Sequence, residues 1–189
     1  MSLRHRIVSP RALSLVLTAT TMFWAAYLFA YASGRSGVAK SSNGCNCHSS
    51  SANANGPVTV TLTGPQTLSA GSTGTYTLSV TGGPSGAKGG FDLSMDTGAL
   101  VTGTNTKVSS GDLVQSNNSS RSWTFQWTAP ATVGTVNLYA VGMASSGSGS
   151  SGDSWNWYGG SAGSPFAIDV TAPTPTLRSS LGGLKLRYR

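Results

Sequence analysis

The sequence predicts an all-β fold, a two-sheet antiparallel β-sandwich of the immunoglobulin kind. Apolar residues alternate with Thr, Ser and other small residues in six runs, which places each apolar set on one face of a strand. Gly- and Pro-rich turn signals separate the runs at a spacing typical of a sandwich, and the pattern indicates about seven to nine strands. The apolar sets are Val58, Val60 and Leu62; Tyr76, Leu78 and Val80; Phe91, Leu93 and Met95; Trp123, Phe125 and Trp127; Val136, Leu138 and Ala140; and Phe166, Ile168 and Val170.

Residues 1–32 are predicted to be a secretory signal peptide. Three arginines lie in the first eleven residues, and an uncharged, largely apolar run over 12–32 ends in Ala30-Tyr31-Ala32, a small-x-small cleavage site. The alternative is an uncleaved membrane anchor, because a run of about 20 apolar residues can span a bilayer. Both interpretations predict an extracytoplasmic body that is secreted, periplasmic or held at the cell surface.

The net charge of +7 is concentrated at the two ends of the chain. Residues 57–172, the predicted sandwich, contain three cations and all five aspartates, and residues 173–189 form a Pro-containing basic tail. A nucleic-acid-binding domain needs cations clustered on its folded face, so this class is excluded. The predicted partners are envelope or surface components, including redox partners. Contact with a membrane is expected only through residues 1–32, if they are uncleaved.

Residues 33–56 are predicted to be a Ser-, Gly- and Asn-rich linker between the exported end and the sandwich. Within it lies Cys45-Asn46-Cys47-His48, which contains both cysteines of the chain and its only histidine beyond His5. Thiolate and imidazole are ligands for transition metals and for haem iron. The sequence therefore predicts that Cys45, Cys47 and His48 form a cofactor site on loop backbone.

A family resemblance rests on four spaced segments, 70–80 (AGSTGTYTLSV), 89–94 (GGFDLS), 123–130 (WTFQWTAP) and 134–142 (GTVNLYAVG) followed by 147–153. In this order they resemble bacterial surface proteins of the choice-of-anchor V kind, which are related to the Reeler β-sandwich domain. The resemblance covers about residues 41–172 and implies an exported, non-enzymatic module. Members of that family often carry Cys-x-x-Cys-His before the sandwich, which looks like a c-type haem attachment site. In this chain the motif is one residue shorter.

Three interpretations of the motif stay open at this stage. Covalent c-type haem would use both thiols for attachment and His48 as an axial ligand, with Met95 or Met143 as a possible sixth ligand. A zinc, copper or nickel ion would take Cys45, Cys47 and His48 as ligands and a fourth from elsewhere. A strained Cys45–Cys47 disulfide, or two free thiols, would leave a structural or adhesive surface module without a cofactor.

No other segment predicts catalysis. Asp92 and Asp96 are four residues apart in a strand-like run, and we expect both to be exposed, solubilising carboxylates rather than a glycosidase pair. No Gly-x-Ser-x-Gly elbow accompanies the single mature-chain histidine. The loop 145–153 is followed by Trp155 and Trp157, which either close the core or stack on a ligand. The leading hypothesis is an extracytoplasmic electron-transfer module, and the alternative is a structural or adhesive one.

Overall fold

The computed structural model describes residues 33–147, 149 and 151–173. Within these residues the fold is all-β, with two sheets packed as a sandwich, as predicted. The predicted signal or anchor segment 1–32 and residues 174–189 of the basic tail lie outside the described residues. Across the described part of the chain, no helix is long and apolar enough to cross a membrane.

The described residues form eleven strands, a few more than the alternation predicted. The additional ones are short, three or four residues long, and too brief to show a two-residue period. In chain order the strands are β1 (Val58–Thr63), β2 (Thr67–Ser69), β3 (Thr73–Gly82), β4 (Gly89–Met95), β5 (Ala99–Val101), β6 (Thr106–Ser109), β7 (Asp112–Gln115), β8 (Ser122–Thr128), β9 (Gly134–Ala144), β10 (Ser154–Trp157) and β11 (Phe166–Thr171).

The smaller sheet has the strand order β1-β3-β8-β5, and the larger has the order β2-β11-β9-β4-β7-β6. Strand β10 pairs with the C-terminal residues of β9. Strand β11 pairs with the N-terminal residues of β9 along the same edge. All pairings between strands are antiparallel except that of β2 with β11. The larger sheet therefore has β4, β9 and β10 side by side, and these strands support the candidate site.

The main core lies between the two sheets. Trp123, Phe125 and Trp127 of β8 are each no more than 1% exposed, whereas Thr124 and Gln126 between them are exposed, as the alternation predicted. Tyr76 of β3 stacks on Phe125 with ring centroids 5.8 Å apart. Burial of aromatic side chains of this size is a major source of folding free energy.

A second apolar cluster lies on the outer face of the larger sheet, and residues 33–56 cover it. Val141 and Met143 of β9 point away from the main core and pack with Val38 and Trp155. A strand that is apolar on both faces must be covered on both, because exposed apolar surface is unfavourable in water. The segment predicted as a linker therefore packs on the sandwich through Val38 and Ala39, both buried.

Arg121 joins three loops at one end of the sandwich. Its guanidinium donates hydrogen bonds of 2.8–3.1 Å to the carbonyl oxygens of Gly82, Pro84, Lys88 and Ser145. The contact with Ser145 lies at the start of the loop that contains Asp153.

We expect Arg121→Ala to lower the free energy of unfolding by about 1.5–3 kcal/mol, the range for hydrogen bonds to a charged donor. Urea denaturation measures the loss. Lys107→Ala is the matched control, because the Lys107 side chain makes no hydrogen bond to the described residues, and it should change stability by no more than about 0.5 kcal/mol. Equal losses for the two variants would show that the four carbonyl contacts contribute little.

Candidate thiol–imidazole site

The Cys-x-Cys-His motif lies on the outer face of the larger sheet, beside a small cavity. Two consecutive turns place the motif there, with the N–H of Asn46 donating to the Asn43 carbonyl and the N–H of His48 donating to that of Cys45. The cavity has a volume of about 50 Å³. Its walls include both thiols and the imidazole of the motif, together with Arg35, Asp92 and Met143.

His48 is oriented by a buried carboxylate. Its Nδ1 lies 2.8 Å from Oδ2 of Asp153, whose side chain is fully buried. Asp153 Oδ1 accepts a hydrogen bond of 2.6 Å from the backbone N–H of Ser146, so the carboxylate has a fixed position. A carboxylate accepts hydrogen bonds, so this contact favours the arrangement in which Nδ1 donates to Asp153 and Nε2 faces away from it. Metal-ligating histidines are held in the same way.

Asp153 is the site residue that sequence reasoning missed. It belongs to the loop 145–153, which the sequence did not connect with the motif, and it lies 105 residues from His48. Only the pairing of β10 with β9 brings the end of this loop to the motif. Asn55 makes a second link, because its side-chain amide donates to the Asp153 carbonyl at 2.7 Å.

The two thiols of the motif have opposite environments. Cys47 is exposed, and its Sγ accepts a hydrogen bond of 2.9 Å from Nη1 of Arg35. Cys45 packs against the apolar cluster of Val141, Met143 and Trp155. Burial raises the pKa of the Cys45 thiol to about 12, and the negative charge of Asp92 acts in the same direction. Both thiols are free in this structure, without the disulfide that the sequence allowed.

Asp92 corrects a sequence-based expectation, because it is 1% exposed rather than a solubilising surface residue. Its Oδ2 accepts hydrogen bonds from the backbone N–H groups of Val38 and Ala39, at 2.7 and 2.8 Å, and so holds the covering segment on β4. Oδ1 receives no hydrogen bond from an N–H or hydroxyl group of the described residues, and the neighbouring carboxyl group is that of Asp112. Burial, followed by the negative charge of Asp112, raises the pKa of Asp92 to about 7.

Asp96, the other aspartate of that predicted pair, has a different role. It forms an ion pair of 2.9 Å with Lys40 at the surface. Lys40 also lies over the ring of Tyr139, with its Nζ 4.2 Å from the ring centroid. The two aspartates thus fasten different parts of residues 33–56.

The two methionines considered as ligands lie on opposite faces of the larger sheet. Met143 is on the outer face, is 7% exposed and lines the cavity with the motif. Met95 packs against the core between the sheets. The structure therefore brings Met143 to the motif and not Met95.

Trp155 closes the second cluster, which decides between the two roles considered for it. It is 2% exposed, and its indole N–H donates to the carbonyl of Ser49 at 3.1 Å. Its ring lies directly against Gly44, whose φ of +46° and missing Cβ allow the close approach. Trp157 packs edge-on against Trp155, with ring centroids 4.7 Å apart, and is partly exposed.

The donors fit a haem poorly. A cavity of about 50 Å³ has room for a few waters or one ion, but not for a macrocycle. Cys45 packs against the apolar cluster that contains Trp155, so attachment through both thiols requires the motif to leave the sheet. Among the described side chains, no three His, Cys, Asp or Glu residues are close enough together to hold a metal ion as they stand.

Comparison with known proteins identifies no family, since no family model and no curated relative matches this chain. The resemblance to choice-of-anchor V proteins stays a prediction from the quoted segments.

Proposed function

We propose that this chain is an exported cell-envelope β-sandwich module that holds a redox cofactor at Cys45, Cys47 and His48 and transfers electrons outside the cytoplasm. The observation that carries the proposal is the His48–Asp153 hydrogen bond. A buried, anchored carboxylate directs the lone pair of Nε2 away from Asp153 and makes the imidazole a better ligand. Export follows from the predicted signal or anchor segment at residues 1–32.

Arg35 supports the same proposal. Its guanidinium donates a hydrogen bond of 2.9 Å to the sulfur of Cys47 and so holds this exposed side chain beside the cavity. The motif thus offers one exposed sulfur and one oriented nitrogen beside the same cavity.

The cavity size favours a single metal ion over covalent haem as the cofactor. An ion enters without displacing residues 33–56, whereas haem requires this segment to leave β4 and β10. The resemblance to proteins with Cys-x-x-Cys-His favours haem instead, so the experiment must separate the two.

The test is expression of the chain in a host with an active cytochrome c maturation system, followed by haem staining, metal analysis and voltammetry. We expect a reversible redox signal without covalent haem, and we expect His48→Gln to remove the signal. Ser50→Ala is the matched control, because this exposed neighbour makes no hydrogen bond to the described residues. Protein that is redox-silent and free of metal and haem would contradict the proposal.

A structural or adhesive surface module is the second candidate. The observation that favours it is the packing of residues 33–56, which partly buries Cys45 and ties the segment to β4 and β10 through Asp92 and Trp155. In that case the cysteines help residues 33–56 to pack on the larger sheet, and no cofactor is needed. A redox-silent protein with unchanged stability after Cys47→Ser would support this candidate.

A further inference from the structure

Met143 lines the cavity but lies outside the Cys-x-Cys-His motif. Of the two methionines in the described residues, it is the one that shares a cavity with both cysteines and the histidine. A thioether beside thiols and an imidazole is a soft donor set, and soft sulfur ligands select Cu(I) among the first-row metals. Zinc and the harder divalent ions gain little from a thioether.

The cavity is also lined by a buried carboxyl oxygen that receives no hydrogen bond from an N–H or hydroxyl group of the described residues. This oxygen is Oδ1 of Asp92, which is 1% exposed. An unsatisfied buried oxygen costs free energy, and a positively charged occupant offsets that cost. This carboxyl oxygen is independent of the sulfur ligands, and in its ionised form it favours a cation in the cavity.

We propose that the cavity binds one Cu(I) ion, with Cys47 Sγ, His48 Nε2 and Met143 Sδ as its ligands. The inference rests on the proposed function, because it names the cofactor of the same site. Cu(I) tolerates few ligands, so three donors suffice where zinc requires four. Since the donors are not gathered around a common point in this structure, the exposed Cys47 side chain has to turn from Arg35 toward the cavity when the ion binds.

The test is an anaerobic titration of the purified, reduced chain with Cu(I) in competition with the chromophoric chelator bicinchoninate. We expect one equivalent to bind, and we expect Met143→Leu to weaken the affinity by about tenfold or more. Met95→Leu is the matched control, because Met95 packs in the main core, and its affinity should equal that of the unmodified chain. Equal affinities for Met143→Leu and the unmodified chain would overturn the assignment, as would displacement of Cu(I) by equimolar Zn²⁺.

Labelling the methionine methyl groups with ¹³C provides a readout on the unmodified chain. We expect the Met143 methyl signal to shift on addition of Cu(I) while the Met95 signal stays in place; no shift at Met143 would overturn the proposal. Binding with the Met143 shift but without a redox signal would support the copper site and contradict electron transfer. Covalent haem without Cu(I) binding would overturn the copper site and leave electron transfer supported.

Discussion

Trp155→Ala is expected to lower the free energy of unfolding by about 3–5 kcal/mol, the range for truncation of a large buried aromatic side chain. The indole is 2% exposed and fills the space between β10 and residues 41–52. Its removal leaves a cavity under Gly44 and removes the hydrogen bond to the Ser49 carbonyl. We therefore expect residues 33–56 to detach from the larger sheet before the sandwich itself unfolds.

Thiol reactivity separates local from global unfolding in this variant. In the unmodified chain, Cys47 should be alkylated quickly and Cys45 slowly, because Cys45 is packed in the apolar cluster and burial raises its pKa to about 12. In Trp155→Ala both should react at similar rates under conditions where the main core is intact. Slow alkylation of Cys45 in that variant would show that residues 33–56 stay packed on the sheet without Trp155.

Trp123→Ala is the matched control for the alkylation experiment. This tryptophan is equally buried, but it lies in the core between the sheets. We expect a comparable loss of stability with Cys45 still protected in the fraction that stays folded. The comparison shows whether residues 33–56 unfold as a separate unit, as segments joined by fewer contacts often do.

Asp92 should make the stability of the chain depend on pH in an unusual direction. Burial raises its pKa from 3.8 to about 7 in the folded chain, so between these values the folded state holds a proton that the unfolded state has released. The contribution of Asp92 to stability is fully present below pH 3.8 and is lost as the pH rises through about 7. We expect the free energy of unfolding to fall by a few kcal/mol between about pH 4 and pH 7.

Two substitutions at Asp92 isolate this effect in urea denaturation at several pH values. Asparagine keeps an oxygen for the N–H groups of Val38 and Ala39 and carries no charge beside Asp112, so Asp92→Asn should flatten the pH dependence and be the more stable protein at pH 8. Asp92→Ala leaves both N–H groups without their acceptor and should cost about 1–3 kcal/mol for each at every pH. If the free energy of unfolding of Asp92→Asn changed with pH as steeply as that of the unmodified chain, the pH dependence would belong to another group.

The alternation of apolar residues was sufficient to predict the sandwich. A period of two places Trp123, Phe125 and Trp127 on one face irrespective of which strands lie beside them, and their burial confirms it. The short strands β2, β5, β6, β7 and β10 were not predictable individually, since three or four residues form strands only when a neighbour supplies the hydrogen bonds.

The sequence alone also located the motif, because Cys45, Cys47 and His48 are adjacent in the chain and chemically distinct from everything around them. The partners of these residues were decided only by tertiary structure. Asp153 reaches His48 across 105 residues, and Asp92 is buried because residues 37–39 lie over β4. Met143 faces the motif because β9 is apolar on both faces where β10 pairs with it, whereas Met95 of β4 faces the core. Local patterns determine which face of a strand is apolar, but contacts between distant segments determine what covers that face and which polar group is buried beneath the cover.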